Sequence, residues 1–393
     1  MMLVLALGPF GPAHSRVMTH VRRAGALTRE ELARRTGLSG STVARTVTSL
    51  TELGLLHERA DLQPAGAVGR PSVPVALDEH RFATLGVHVG RRVATVCLGD
   101  LNGRVIARST IDPRGLDAAG LARQAADGLT RLLAVHSSRI AISAGVVAPW
   151  GDIAFDRDEL VEALDERLGL EVESWELVPA IAAAEYIARP QDLPGSTLYV
   201  YARDTIGFVM ANERPWGMEI ARVGRLSHFP AGDHARCHCG HVGCLEALAS
   251  DYAVAHAAVA AGAVDTPRVA SVLAAAAAGS DAAHVVLADR AELLGRVTAV
   301  VRDMVNPDRI VLCGQGFTAY PPALDIVRNT FGHHTRTATS IDISFTRVSG
   351  EIQSVAAGTV ALRRVYDDPV GAVDSSGPAD AEPEGEPAGS ASC

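Results

Sequence analysis

Leu27-Thr28-Arg29-Glu30-Glu31-Leu32-Ala33-Arg34-Arg35-Thr36-Gly37-Leu38-Ser39-Gly40-Ser41-Thr42-Val43-Ala44-Arg45 reads as two helices joined by a tight turn. Thr28 with Glu31 three residues later is a capping box, and it opens the first of them. Leu32 and Ala33 give that helix its apolar face. Thr36 to Ser39 is the turn. Ser39 then caps a second helix running to about Leu53, with Val43, Val47, Leu50 and Leu53 on its inward stripe. Gly54 stops it. Ahead of the pair, Ser15 to Ala24 places Val17, Met18 and Val21 on one helical stripe. Two helices around a Gly-containing turn form a helix-turn-helix, whose later helix enters a DNA major groove.

The outward positions early on that later helix are expected to be Ser41, Thr42, Arg45 and Thr46. Short hydroxyls and one Arg suit phosphates and base edges. Downstream, Leu55 to Glu58 and Val73 to Leu77 can pair as a two-stranded wing. Its tip holds Gly66, Gly69, Arg70 and Pro71, and an Arg there can reach phosphate or the minor groove. The candidate DNA contacts are therefore Ser39, Ser41, Thr42, Arg45, Thr46 and Arg70. A plain three-helix docking module would show the same helices. The wing, the basic balance of residues 1–77 and the terminal position favour double-stranded DNA.

That balance is local. The whole chain of 393 residues has a formal charge of −9 and not one Lys. Residues 1–77 carry 9 Arg against 5 acids, or +4; residues 367–393 carry 7 acids and no base; 78–366 carry the remaining −6. This implies a basic binding module at 1–77, a large body at 78–366 and an acidic tail at 367–393. The tail is rich in Pro, Gly, Ala, Ser and Glu and is expected to be disordered. Six Cys, three of them clustered, do not make a secreted disulfide scaffold. No stretch approaches 20 apolar residues free of charge, so a cytoplasmic globular protein is expected.

Within the body, Leu85 to Gly99 reads as a strand and Val105 to Ile111 as its hairpin partner. Asp117 to His136 is a helix, Ile140 to Val147 a strand, Asp158 to Leu168 a helix and Leu198 to Tyr201 a strand. Leu245 to Ala261 and Thr266 to Val305 are long helical stretches. Ile310 to Leu312 is a buried strand, and Gln353 to Val365 a closing helix. Alternating elements of this kind predict a two-lobed α/β body with a cleft. No repeat of 20–50 residues is visible.

Cys237-His238-Cys239-Gly240-His241-Val242-Gly243-Cys244-Leu245-Glu246 is the most specific motif. Three thiols around glycines can turn onto one tetrahedral ion. Zinc needs a fourth ligand, and His228, His234, His238 and His241 are all near. Four protein ligands would make a closed, structural zinc site. Buried or redox-active thiols are the alternative.

The run from Leu27 to Arg45, Gly69-Arg70-Pro71 and the cysteine motif together resemble the ROK family (repressor, open reading frame, kinase). The likeness covers nearly the whole chain except the tail. It implies a winged helix-turn-helix followed by an actin-like, ribonuclease-H-like body with a zinc knuckle. It also implies a homodimer or homotetramer. In the family's Gly-Glu-x-Gly-His motif, Gly224-Arg225-Leu226-Ser227-His228 matches, so His228 joins Cys237, Cys239 and Cys244 as the zinc set. An alignment on Val223-Gly224-Arg225 would put Arg225 in the ligand's place.

The same resemblance shows what is missing. Where ROK kinases have Asp-x-Gly-x-Thr, this chain has His88-Val89-Gly90-Arg91-Arg92. Their Gly-rich phosphate loop reads Arg203-Asp204-Thr205-Ile206-Gly207 here. Their Asn-Asp run with the catalytic base reads Val178-Pro179, and proline cannot accept a hydroxyl proton. No catalytic residues are expected. Of the family's sugar ligands only His228 and Glu246 persist, and Arg225 replaces a carboxylate. Arg225, His228 and Glu246 are thus a candidate pocket for a sugar-derived or anionic effector. An Arg225–Glu246 ion pair filling the pocket is the competing expectation. The leading reading is a DNA-binding transcriptional regulator of the repressor type with an inactive kinase-like body. A DNA-binding scaffold without effector and a divergent sugar kinase are the other two.

Overall fold

The computed structural model describes residues 12–63, 73–149, 155–189, 194–214, 217–232, 234–337, 341–348 and 352–375. Three helices come first: α1 (Ala13–Ala24), α2 (Arg29–Thr36) and α3 (Gly40–Glu52). The caps read from the sequence set their ends. The Glu31 N–H donates to Thr28 Oγ1, and the Thr28 N–H donates back to the Glu31 carboxylate at 2.8 Å. Gly37 ends α2 at φ +68°, where a side chain would cost about 1–2 kcal/mol. The Ser39 hydroxyl accepts from the Thr42 N–H at 3.2 Å and opens α3. Strands β1 (Leu56–Glu58) and β2 (Val75–Leu77) pair antiparallel, Leu56 opposite Leu77, as the wing. Arg70 and the wing tip lie outside the described residues.

The first lobe holds β3 (Phe82–His88), β4 (Ala94–Gly99), β5 (Val105–Ile111), α4 (Ala118–Val135), β6 (Ile140–Ala148), α5 (Arg157–Leu168), β7 (Val172–Glu176) and α6 (Leu177–Ala188). The second holds β8 (Gly195–Ala202), β9 (Ile206–Arg214), β10 (Gly217–Arg225), α7 (Leu245–Ala249), α8 (Asp251–Ala260), α9 (Val269–Ala277), α10 (Asp281–Val305), β11 (Arg309–Cys313), α11 (Gln315–Thr318), α12 (Ala323–His334) and β12 (Asp342–Phe345). Then α13 (Ile352–Asp367) returns to the first lobe, and α14 (Pro369–Asp374) follows it.

The two sheets share one topology. Their strand orders are β5-β4-β3-β6-β7 and β10-β9-β8-β11-β12. In each, three antiparallel strands are followed by two parallel ones. Helix α6 packs on strands of both sheets and on α13, so the lobes share a core there. Gly86 and Gly145 face each other on β3 and β6. A Cβ on Gly145 would stand 2.6 Å from the Ala361 backbone N, and one on Gly86 2.8 Å from that of Gly358. The missing side chains let α13 lie directly on the sheet.

Several expectations need correction. Leu85 to Gly99 is two strands, β3 and β4, because the chain reverses through Gly90 to Val93. The stretch from Leu245 to Ala261 breaks at Ser250, whose side chain caps α8. The stretch from Thr266 to Val305 breaks at Gly279, φ +90°, before the Ser280 cap of α10. The acidic segment is ordered beyond Asp367: Asp368 caps α14, and Pro369 and Ala372 are buried. Residues 376–393 lie outside the described set.

Candidate DNA-binding face and metal centre

On α3, Val43, Val47 and Leu50 are fully buried in the module core. Ser41, Ala44, Arg45 and Thr48 are exposed at i, i+3, i+4 and i+7, so they share the outward face. Ser39 is also exposed, and Thr42 is half-buried. Thr46 is not a surface residue. It is 3% exposed, on the inward side beside Val43 and Val47. The expectation failed because it took four early positions as outward, whereas 3.6 residues per turn rotate position 46 inward. Thr48 takes its place, and the spacing from Ser41 was the available signal. Arg34 and Arg35, exposed at the end of α2, were also missed.

The cysteine motif forms a knuckle between β10 and α7. The Cys237 N–H donates to the His241 carbonyl at 2.8 Å, and the Gly240 N–H to the Cys237 carbonyl at 3.0 Å. Gly240 and Gly243 turn the chain at φ +90° and +78°. One ligand atom each from His228, Cys237, Cys239 and Cys244 lies within 4.8 Å of all the others. His228 Nδ1 is 3.5 Å from Cys237 Sγ, and Cys239 Sγ is 3.6 Å from Cys244 Sγ. A tetrahedral zinc with Zn–S near 2.3 Å and Zn–N near 2.0 Å needs ligand separations of about 3.5–3.8 Å. The donor set suits zinc in chemistry, and these two separations match it. His228 reaches the three thiols, as the alignment on Gly224-Arg225-Leu226-Ser227-His228 expects.

Arg225 and Glu246 each meet other partners. Arg225 Nη2 lies 3.7 Å from Glu176, and Glu246 instead meets Arg91 at 3.5 Å and His238 Nδ1 at 3.7 Å. The exposed end of β10 points Arg225 toward β7, while Glu246 sits in the first turn of α7. Of the expected effector residues, His228 and Glu246 come together with His238, while Arg225 meets Glu176. A cleft of about 1060 Å³ opens between the knuckle, α8 and α10. Arg91, Asp204, His238, Glu246, Tyr252 and Arg290 are among its lining residues.

The model of the ROK family matches residues 84–364, and that of the MarR family matches residues 10–64. The chain belongs to the ROK family. The transcriptional regulator Rv0485 of Mycobacterium tuberculosis is 35% identical over 400 residues, spanning 94% of this chain and 89% of the relative. The dual regulator NagC of Escherichia coli is 28% identical over 320 residues, 74% of this chain and 77% of its own. Among solved structures, a ROK family transcriptional regulator homologous to the Escherichia coli MLC protein superposes with a TM-score of 0.74. It is 20% identical, covering 92% of this chain and 98% of that one. That likeness supports the fold.

The residues matched to the kinase motifs have these surroundings. His88 is buried at the end of β3, and burial, with help from Arg203, pulls its imidazole down to about 3. It is neutral at physiological pH. Arg203, just ahead of β9, lies 3.3 Å from Asp251, which also holds buried Arg290 at 2.8 Å. Asp204 beside it is pushed up, mainly by burial. Val178 and Pro179 are buried in the first turn of α6. Among the described residues, no single helix is long and apolar enough to cross a membrane.

Proposed function

We propose that this ROK protein is a cytoplasmic DNA-binding transcriptional regulator of the repressor type. One observation carries the reading: α3 presents Ser41, Ala44, Arg45 and Thr48 outward on a capped helix-turn-helix flanked by a wing. That geometry suits a major-groove reader. Ser39 and Thr42, at the N-terminus of α3, suit phosphate contacts. A dimer would place two such helices on a two-fold site and multiply a small module's specificity. Regulators among the relatives support the reading.

The body is read as inactive in phosphoryl transfer. That reaction needs positioned metal, phosphate-binding backbone and a base. Here the matching places hold a neutral buried His88, an Arg203–Asp251–Arg290 network and Pro179. The zinc set His228, Cys237, Cys239 and Cys244 is read as structural, since four protein ligands leave no open position. Effector sensing is placed at the cleft bordered by Arg91 and Glu246, with Arg225 outside it. A gel shift on the protein's own upstream region tests the function. Retarded DNA is expected, and a metal-dependent transfer of phosphate to a hexose with no DNA retardation would contradict it.

A further inference from the structure

We propose that the acidic segment 376–393 docks on the winged-helix module and competes with DNA for its arginines. The inference rests on the DNA-binding reading above. Where the segment starts is the first observation. Helix α14 packs against α1 and brings the chain to Ser375 at the module's flank. The His14 imidazole on α1 feels Asp368, at the cap of α14, and Arg45 of the recognition helix together. The segment starts after Ser375, whose hydroxyl meets Arg364 of α13, on the helix that packs against α1.

Charge is the second observation. Residues 376–393 carry Asp380, Glu382, Glu384 and Glu386 and no basic residue. The module presents Arg34, Arg35 and Arg45 exposed. Reach is sufficient. An eighteen-residue chain with the dimensions of a coil would span about 23 Å root-mean-square, and α3 itself is about 20 Å long. A tether that short holds the segment at an effective concentration near the millimolar range, so weak docking is enough.

Magnitude decides what kind of competitor this is. Four carboxylates at every second residue give one charge per about 6–7 Å of extended chain. DNA offers one per about 1.7 Å. The segment is thus a weak DNA mimic, displaced by a duplex. It lowers affinity for every duplex by one common factor, and moves nonspecific binding furthest below useful concentrations.

The test is fluorescence anisotropy with a random-sequence 30-bp duplex at low and high salt. Deleting 376–393 leaves α14 intact and should tighten binding about 3–10-fold at low salt, with the gain shrinking at high salt. The quadruple variant D380N/E382Q/E384Q/E386Q, which keeps the length, should do the same. A control, D158N/E159Q/E162Q/E166Q, makes the same charge change on α5, which packs on α4 and β7. It should leave affinity unchanged. Equal tightening by the control would reduce the effect to net charge and overturn the proposal. So would equal affinity of the full and shortened chains. A labelled 376–393 peptide added to the shortened chain gives a readout without DNA. It should bind, and R34A/R35A/R45A should weaken it. If no form binds DNA but the peptide binds, the function fails and the docking stands; if DNA binds and the peptide does not, the docking fails alone.

Discussion

The Ser15 hydroxyl of α1 donates to the Asp367 carbonyl at the end of α13, at 2.8 Å. This bond joins the first helix of the winged-helix module to the last long helix of the ROK body. Around it, Val365, Tyr366 and Ala372 share one apolar cluster with Val17, Met18 and Val21. The Arg22 guanidinium lies 5.4 Å from the Tyr366 ring centre, and the Tyr366 hydroxyl donates to the Leu101 carbonyl at 2.8 Å. The module is thus packed on the body, and α13 runs from the lobe junction to that joint.

The joint predicts a mutant. Tyr366→Ala removes a buried ring, its hydrogen bond and the Arg22 contact, and should cost about 3–5 kcal/mol of stability. It should also expose the chain between Leu77 and Phe82 to protease in native buffer. A variant with wild-type melting and protease resistance would show that the joint contributes nothing.

The correction at α3 predicts a contrast between neighbours. Arg45→Ala should weaken operator binding by about 1–3 kcal/mol if it reads a base. Thr48→Ala, on the same face, should also weaken it. Thr46→Val should leave DNA affinity within about twofold, because position 46 faces the core. Gel shifts of the three variants on one retarded fragment check this. Equal losses at 45 and 46 would mean the face is assigned wrongly.

The zinc set predicts a metal-dependent fold. Cys239→Ser should abolish stoichiometric zinc and lower the melting temperature, and chelator should do the same to the wild type. Elemental analysis and thermal unfolding report both. Zinc absent from well-folded wild-type protein would remove the ion from this account.

His88 predicts a pH dependence. Its folded value of about 3 lies below the 6.5 of an unperturbed imidazole. The unfolded chain therefore binds a proton first as pH falls, and stability is lost from about pH 6.5 downward. Between pH 7 and 5 this amounts to about 2 kcal/mol from this one residue. His88→Gln should unfold with a shallower acid dependence in urea titrations. An unchanged slope would show that His88 is not held neutral.

Much of this was legible in residue types and spacing. Thr28 with Glu31 and Ser39 act locally, so the starts of α2 and α3 could be read to the residue. The cysteine knuckle is local too. What escaped depends on contacts far apart in sequence. The duplication of the two sheets has no sequence repeat, because strand order is kept by packing and not by residue identity. Strands β9 and β10 were unread because Arg214, Glu219 and Arg222 interrupt their apolar pattern. The pairing of Glu246 with Arg91, and of Arg225 with Glu176, needed the relative placement of two lobes. Thr46 failed for a smaller reason: a one-residue error in helical phase turns a surface position into a core one.

The central claim is that this ROK protein reads DNA through α3. Genome-wide occupancy of the tagged chain, compared with its Arg45→Ala variant, tests it most directly. Discrete sites sharing a two-fold element, with occupancy lost in the variant, are predicted. Occupancy with no enriched sites, or sites unaffected by Arg45→Ala, would contradict it.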